Sequence, residues 1–363
     1  MDGMFPTSVD ALIARVAALV PAVQGRAGPL DSDGAFPSED VAAIAASGGL
    51  LAPFPVAAGG LGLGTSPAGA AGLLELLRLL GRGNLSVGRI FEAHVNAVRL
   101  IVRYGTEALT RAAADDAAAG HLFALWVTDP VQDGLRASGG VLLGGKEFCS
   151  AAGHATRAVV TADVGPGEPR LMLVDVTSAE VAPLPGALLG MRAATTGRVR
   201  LDGLHAAPFG APGDYLREPD LSTGAWRTSA VTLGGLEALA AAARAQLVAR
   251  GRYADPHQQA RMGQVLIAQE TARLWLHAAA LRAEDADADP ASAVAYVNLA
   301  RLAVERACLD SIELIQRSLG LAAFMRPNPI ERLCRDLATY LRQPAADMVL
   351  TEAAAYAMAT HEP

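Results

Sequence analysis

The chain has 363 residues, with 30 Lys and Arg against 37 Asp and Glu, a formal charge of −7. No basic stripe exists to neutralise phosphates, which argues against a nucleic-acid partner. Three cysteines without CxxC spacing (Cys149, Cys308, Cys334) read as reduced thiols, neither a disulfide frame nor a metal site.

At roughly 100–200 residues per domain, the length predicts two or three substructures. No segment approaches the ~18 consecutive apolar residues that a membrane span needs. Met1–Asp10 lacks a basic region followed by an apolar one, so no signal peptide is expected and a cytoplasmic location is.

The first third reads as helix. Ser8 caps a segment with Leu12, Ile13, Val16, Leu19 and Val20 at helical spacing, and Ser38-Glu39-Asp40 opens a second helix that closes at Gly48-Gly49. Further helices are predicted over 73–80 and 90–104. The middle third changes to short β-prone runs, at 122–128, 141–149, 158–162, 171–176 and 198–204, separated by Gly, Pro and Asp. That pattern predicts a small antiparallel β-domain. Long periodic segments at 230–252, 258–283, 291–319 and 329–341 then predict a four-helix bundle, with the acidic stretch 284–290 as a solvated connection. The expected organisation is an N-terminal helical domain (1–119), a β-barrel-like middle domain (120–215) and a C-terminal bundle (216–363).

Several motifs occur in a telling order. Leu30-Asp31-Ser32-Asp33-Gly34-Ala35-Phe36-Pro37 precedes Gly48-Gly49-Leu50-Leu51 and Gly59-Gly60-Leu61-Gly62. Arg103-Tyr104-Gly105-Thr106 and Leu143-Gly144-Gly145-Lys146 follow. Then come Leu189-Gly190-Met191-Arg192 and Pro329-Ile330-Glu331-Arg332 with Arg335-Asp336. Across nearly the whole chain this resembles the acyl-CoA dehydrogenase family. The resemblance implies bound FAD, a homodimer or homotetramer, a small-molecule substrate such as an acyl-CoA, and an electron-transfer or reductase partner.

By the same resemblance, the flavin ring touches two strands of the β-domain. Here they are Trp126-Val127-Thr128 and Phe148-Cys149-Ser150, with the Ser150 hydroxyl placed to reach the flavin N5. Phe148 reads equally as an ordinary core aromatic. Arg250 and Tyr253 stand where the family supplies a phosphate contact from a neighbouring subunit, Arg261 where it has a glutamine, and Gln316 with Gly320 where a loop covers the adenosine part. The bland reading of Arg250 is an exposed helix end.

The catalytic glutamate implied by the resemblance is absent. Its place falls on Pro344, and the place used by a second branch falls near Arg227. Asp347 and Glu352 lie close by but off register. His94 is the remaining proton-transfer candidate by residue type, or else a buried hydrogen-bonded histidine. Three readings follow: an FAD-dependent dehydrogenase of acyl thioesters, a flavin-dependent monooxygenase on a non-CoA substrate, and a non-catalytic flavoprotein.

Overall fold

The computed structural model describes residues 6–360. Five helices come first: α1 (Val9–Asp33), α2 (Ser38–Ala46), α3 (Ala70–Gly83), α4 (Leu85–Tyr104) and α5 (Glu107–Ala118). Ser8 caps α1 by accepting from the Ala11 N–H, and α1 stops at Gly34, which takes the left-handed conformation. Helix α4 is buried along most of its length, so it serves as the central wall between the helical and β layers.

Nine strands follow. β1 (Phe123–Trp126), β5 (Arg157–Ala162), β6 (Arg170–Asp175) and β9 (Ala206–Phe209) form one sheet, in the order β1-β5-β6-β9. β4 (Gly145–Cys149), β8 (Gly197–Arg200) and β7 (Glu180–Pro183) form a second, and β2 (Arg136–Ser138) and β3 (Val141–Leu143) a hairpin. Two expectations need correction. The β-domain is not wholly antiparallel, because β1 and β5 pair in parallel. The expected strand over 141–149 is two strands, broken at Gly144. That glycine has φ +105°, and a Cβ on it would lie 2.7 Å from the Gly134 carbonyl oxygen.

The C-terminal part holds α6 (Asp220–Thr223), α7 (Ala225–Ala249), α8 (Pro256–Glu284), α9 (Pro290–Leu319), α10 (Pro329–Tyr340) and α11 (Ala346–Thr360). The four long helices pack as expected. Helix α11, not expected from the sequence, lies against α9. Asp255, Asp289 and Asn328 cap α8, α9 and α10, and each is followed by Pro at the first helical position, where its missing N–H costs nothing. Among the described residues no helix is long and apolar enough to cross a membrane.

Candidate active site

The motif on α10 proves to be a joint between the three parts. Arg335 donates to both oxygens of Asp31 on α1 (3.0 and 2.7 Å), to Glu331, and to the Leu189 carbonyl (2.5 Å). Asp336 accepts from the Met191 N–H (2.7 Å) and Thr339 from the Gly190 N–H (3.1 Å). Gly190 sits so close that a Cβ would come within 2.3 Å of the Arg335 carbonyl oxygen. Burial raises the Asp31 carboxyl, but Arg335 beside it outweighs that and holds it below its usual range.

This joint forms one wall of a cleft of about 1040 Å³ between the β-domain and the bundle. The opposite wall carries Thr128, Phe148 and Ser150, and its floor carries Arg89, Thr228 and Tyr340. Phe148 is 55% exposed and holds φ +55°; Met191, also on the wall, holds φ +59°. Each such backbone costs on the order of 1 kcal/mol, and strain of this kind gathers at ligand sites. The Tyr340 hydroxyl is buried and has no hydrogen-bond partner among the described residues.

Lys146, the only lysine, fixes the Thr128 side of the cleft. Its buried ammonium donates to Asp129 (2.7 Å), the Thr161 hydroxyl (3.0 Å) and the Val127 carbonyl (3.4 Å). Trp126 is also structural: its indole N–H donates to the Ser150 carbonyl (2.9 Å), tying the two expected flavin strands together.

A second cavity of about 410 Å³ meets the cleft at Thr228, Gln343 and Pro344. Its lining sets Glu92, Asn96, Arg99, Asp220, Arg227 and Arg301 among apolar Leu100, Leu125, Leu221 and Val349, and more of its surface is apolar than polar. Glu92 pairs with Arg89 and accepts from Asn96 and from the Thr228 hydroxyl (3.3 Å). Asp220 binds Arg99, Arg103 and the Tyr104 hydroxyl. Arg227 donates to Asn96 (2.6 Å) and to Glu284 (3.2 Å), and Arg99 also pairs with Glu284. Burial, with Arg99 close by, pulls the Arg227 guanidinium down to about 10.

Of the residues picked from sequence, Thr128, Phe148 and Ser150 line the cleft. Trp126, Val127 and Cys149 support it from behind. His94 lines neither cavity. It is fully buried, its Nε2–H donating to the Leu50 carbonyl (2.8 Å) and its Nδ1 accepting from the Phe123 N–H (3.2 Å). Burial pulls it down to about 4, so it is neutral at pH 7. Asp347 and Glu352 are exposed on α11 and line neither cavity. Arg250, Tyr253, Arg261, Gln316 and Gly320 gather at the far end of the bundle, where α7, α8 and α9 meet. With Gln258 turned to suit its neighbours, its amide nitrogen donates to Ser318 and its oxygen accepts from Arg261. The 12 residues of α10, about 18 Å of helix, separate that end from Tyr340 in the cleft. Within one chain these five residues reach nothing in the cleft. The sequence reading missed Glu92, Thr228 and Tyr340. Their one legible signal was a glutamate on the otherwise apolar α4 stripe.

Residues 10–121 match the family model "Acyl-CoA dehydrogenase, N-terminal domain". The N-terminal third of the chain belongs to that family. The whole chain has the acyl-CoA dehydrogenase fold. It superposes on KijD3 solved with FMN and dTDP-3-amino-2,3,6-trideoxy-4-keto-3-methyl-D-glucose, at TM-score 0.79 and 24% identity, covering 99% of this chain and 95% of that one. A glutaryl-coenzyme A dehydrogenase in complex with glutaryl-CoA matches at TM-score 0.82 and 20% identity, covering 99% and 97%. TdsC of Paenibacillus sp. A11-2, a dibenzothiophene monooxygenase solved with FMN and indole, matches at 0.79 and 18%, covering 97% and 98%. No curated protein sequence matches the chain closely enough to count as a relative.

Proposed function

We propose that the chain is a flavin-dependent monooxygenase acting on a polar small molecule. The observation that carries this is that, among the described residues, neither cavity is lined by an unpaired carboxylate. Dehydrogenation of an acyl thioester needs a carboxylate free to take the α-proton. Both carboxylates on the wall are held in ion pairs, and Arg227 puts a cation where one branch of the family carries its base. The open cavities count against a non-catalytic reading. Among fold relatives, the paired carboxylates suit the class of KijD3, solved with a nucleotide sugar, better than that of a CoA ester dehydrogenase.

The cleft suits a flavin in shape and chemistry. Phe148, Leu189 and Met191 offer apolar contact to a planar ring, and Ser150 and Thr128 offer polar atoms to its edge. The reduced cofactor, FMN or FAD, would supply electrons to dioxygen, delivered by a separate reductase. Arg250, Tyr253, Arg261, Gln316 and Gly320 would serve such a cofactor from a second copy of the chain in a homodimer or homotetramer. The residues of this chain do the rest. Arg227 and Asn96 orient the substrate. Thr228, between Glu92 and the cleft, carries a proton across the junction, and Arg89 holds Glu92 in place by an ion pair. The Leu188–Met191 wall excludes water.

The test is anaerobic. Protein loaded with FMN or FAD is mixed with short and long saturated acyl-CoAs and its visible absorbance is followed. No bleaching is expected, whereas addition of NADH and a flavin reductase in air should drive substrate oxygenation. Bleaching by any acyl-CoA, or failure to bind either flavin, overturns the proposal. One observation favours a second reading, that of a dehydrogenase: Glu92 lies at the junction of the two cavities. Under it, Glu92→Gln would abolish bleaching by about 10²–10⁴-fold.

A further inference from the structure

The ion pairs of the smaller cavity do not use all of its cations. Arg89 takes Glu92, Arg99 and Arg103 share Asp220, and Arg99 and Arg227 share Glu284. Among the described residues no carboxylate pairs with Arg301. One of its guanidinium nitrogens donates to the Pro344 carbonyl (2.7 Å), while its Nε is buried with no partner. Glu305, a turn later on α9, is engaged by Arg342 (3.1 Å). Asn298, three residues before Arg301 and so on the same face of α9, is 96% buried, at 4% exposure. It also lines the cavity. A guanidinium nitrogen buried without an acceptor costs free energy, and no carboxylate of the cavity offsets the charge of Arg301.

We propose that Arg301 and Asn298 form an anion subsite that takes a carboxylate or phosphate group of the substrate. The guanidinium presents donors in a planar fork that matches either group, and the amide adds a third donor beside it. The subsite rests on the reading of this cavity as the substrate's. It also explains why a half-buried arginine persists there: burial alone pulls its guanidinium down, and a bound anion would restore it. Pro344 and Ala345 lie over the same cavity, so anion binding would also order the turn that closes it against the flavin cleft.

The test is calorimetric titration of the flavin-loaded full chain with inorganic phosphate and, separately, malonate, in chloride at constant ionic strength. The wild type should bind at least one of them. Arg301→Gln should weaken that binding about 10- to 100-fold, as expected for a charge-assisted contact, with Arg301→Lys between the two. Without anion, Arg301→Gln should melt at the same temperature as the wild type or higher, since it removes an uncompensated charge. Tighter phosphate binding would assign the natural group to a phosphate ester, tighter malonate binding to a carboxylate. Absence of binding by the wild type, or equal affinity in Arg301→Gln, overturns the subsite. The titration needs no turnover, so it fails or succeeds independently of the oxygenation assay.

Discussion

Helices α10 and α9 both wall the cavities, yet the joint on α10 and the Arg301 site on α9 treat their polar side chains in opposite ways. On α10 the groups facing the joint are satisfied. Arg335 bridges Asp31, Glu331 and the Leu189 carbonyl, Asp336 holds a backbone N–H, and Thr339 holds another. On α9, beside Asn298 at the smaller cavity, Arg301 has no carboxylate partner among the described residues and its Nε has no acceptor. A saturated network specifies position; an unsaturated one, equally buried, awaits a ligand. Motif strength in the sequence followed the first kind, so the most recognisable residues turned out to be scaffold.

The sharpest way to break this comparison is to cut the joint. Arg335→Ala leaves Asp31 without its cation and Glu331 with Arg326 alone (3.8 Å), and the cost should be about 3–5 kcal/mol by urea denaturation, with loss of flavin retention as the Leu189–Met191 wall detaches. If stability falls but flavin stays, the joint does not shape the cleft. A nearly equal effect should come from pH alone. His94 is held at about 4 in the fold against an ordinary 6.5, so the unfolded chain binds the extra proton between those values. Stability is therefore present above pH 6.5 and lost as pH falls towards 4, by about 3 kcal/mol for this group. His94→Gln should flatten that part of the stability–pH curve; an unchanged slope would refute its buried neutral state. Lys146→Met, which strips Asp129 and Thr161 of a donor, should cost about 1–3 kcal/mol and loosen flavin binding through Thr128. Arg250→Ala should be the mildest, within about 0.5 kcal/mol in stability. If it nevertheless weakens flavin retention in the assembled protein, the far end of the bundle serves a neighbouring copy.

The layer order was legible because each part writes its own period: 3.6 in α3, α4 and α7–α10, and short β-branched runs such as Ala158–Ala162 between them. Strand direction was not legible, because the β1–β5 pairing is set by long-range register rather than by either strand's composition. The cleft wall at Thr128, Phe148 and Ser150 was reached through resemblance. His94 was singled out by residue type, which says nothing of whether a backbone carbonyl and an N–H already occupy its ring. Glu92 and Arg301 escaped notice for a related reason. A charged residue in a helical stripe reads as solvent-facing until tertiary packing turns that face inward. Arg227 was noticed only as a missing base, and its meaning came from the neighbours that share Glu284 with it.

Lys146 has one more consequence. It is the chain's only lysine, and its side chain is shut off from solvent at the meeting of β1, β4 and β5. The folded protein therefore offers no accessible ε-amine to acylating reagents. Amine-directed dyes, crosslinkers and surface-coupling chemistry should find no ε-amine on the folded chain. Slow labelling of Lys146 would then report, as a clock, each opening of the β-domain beside the cleft.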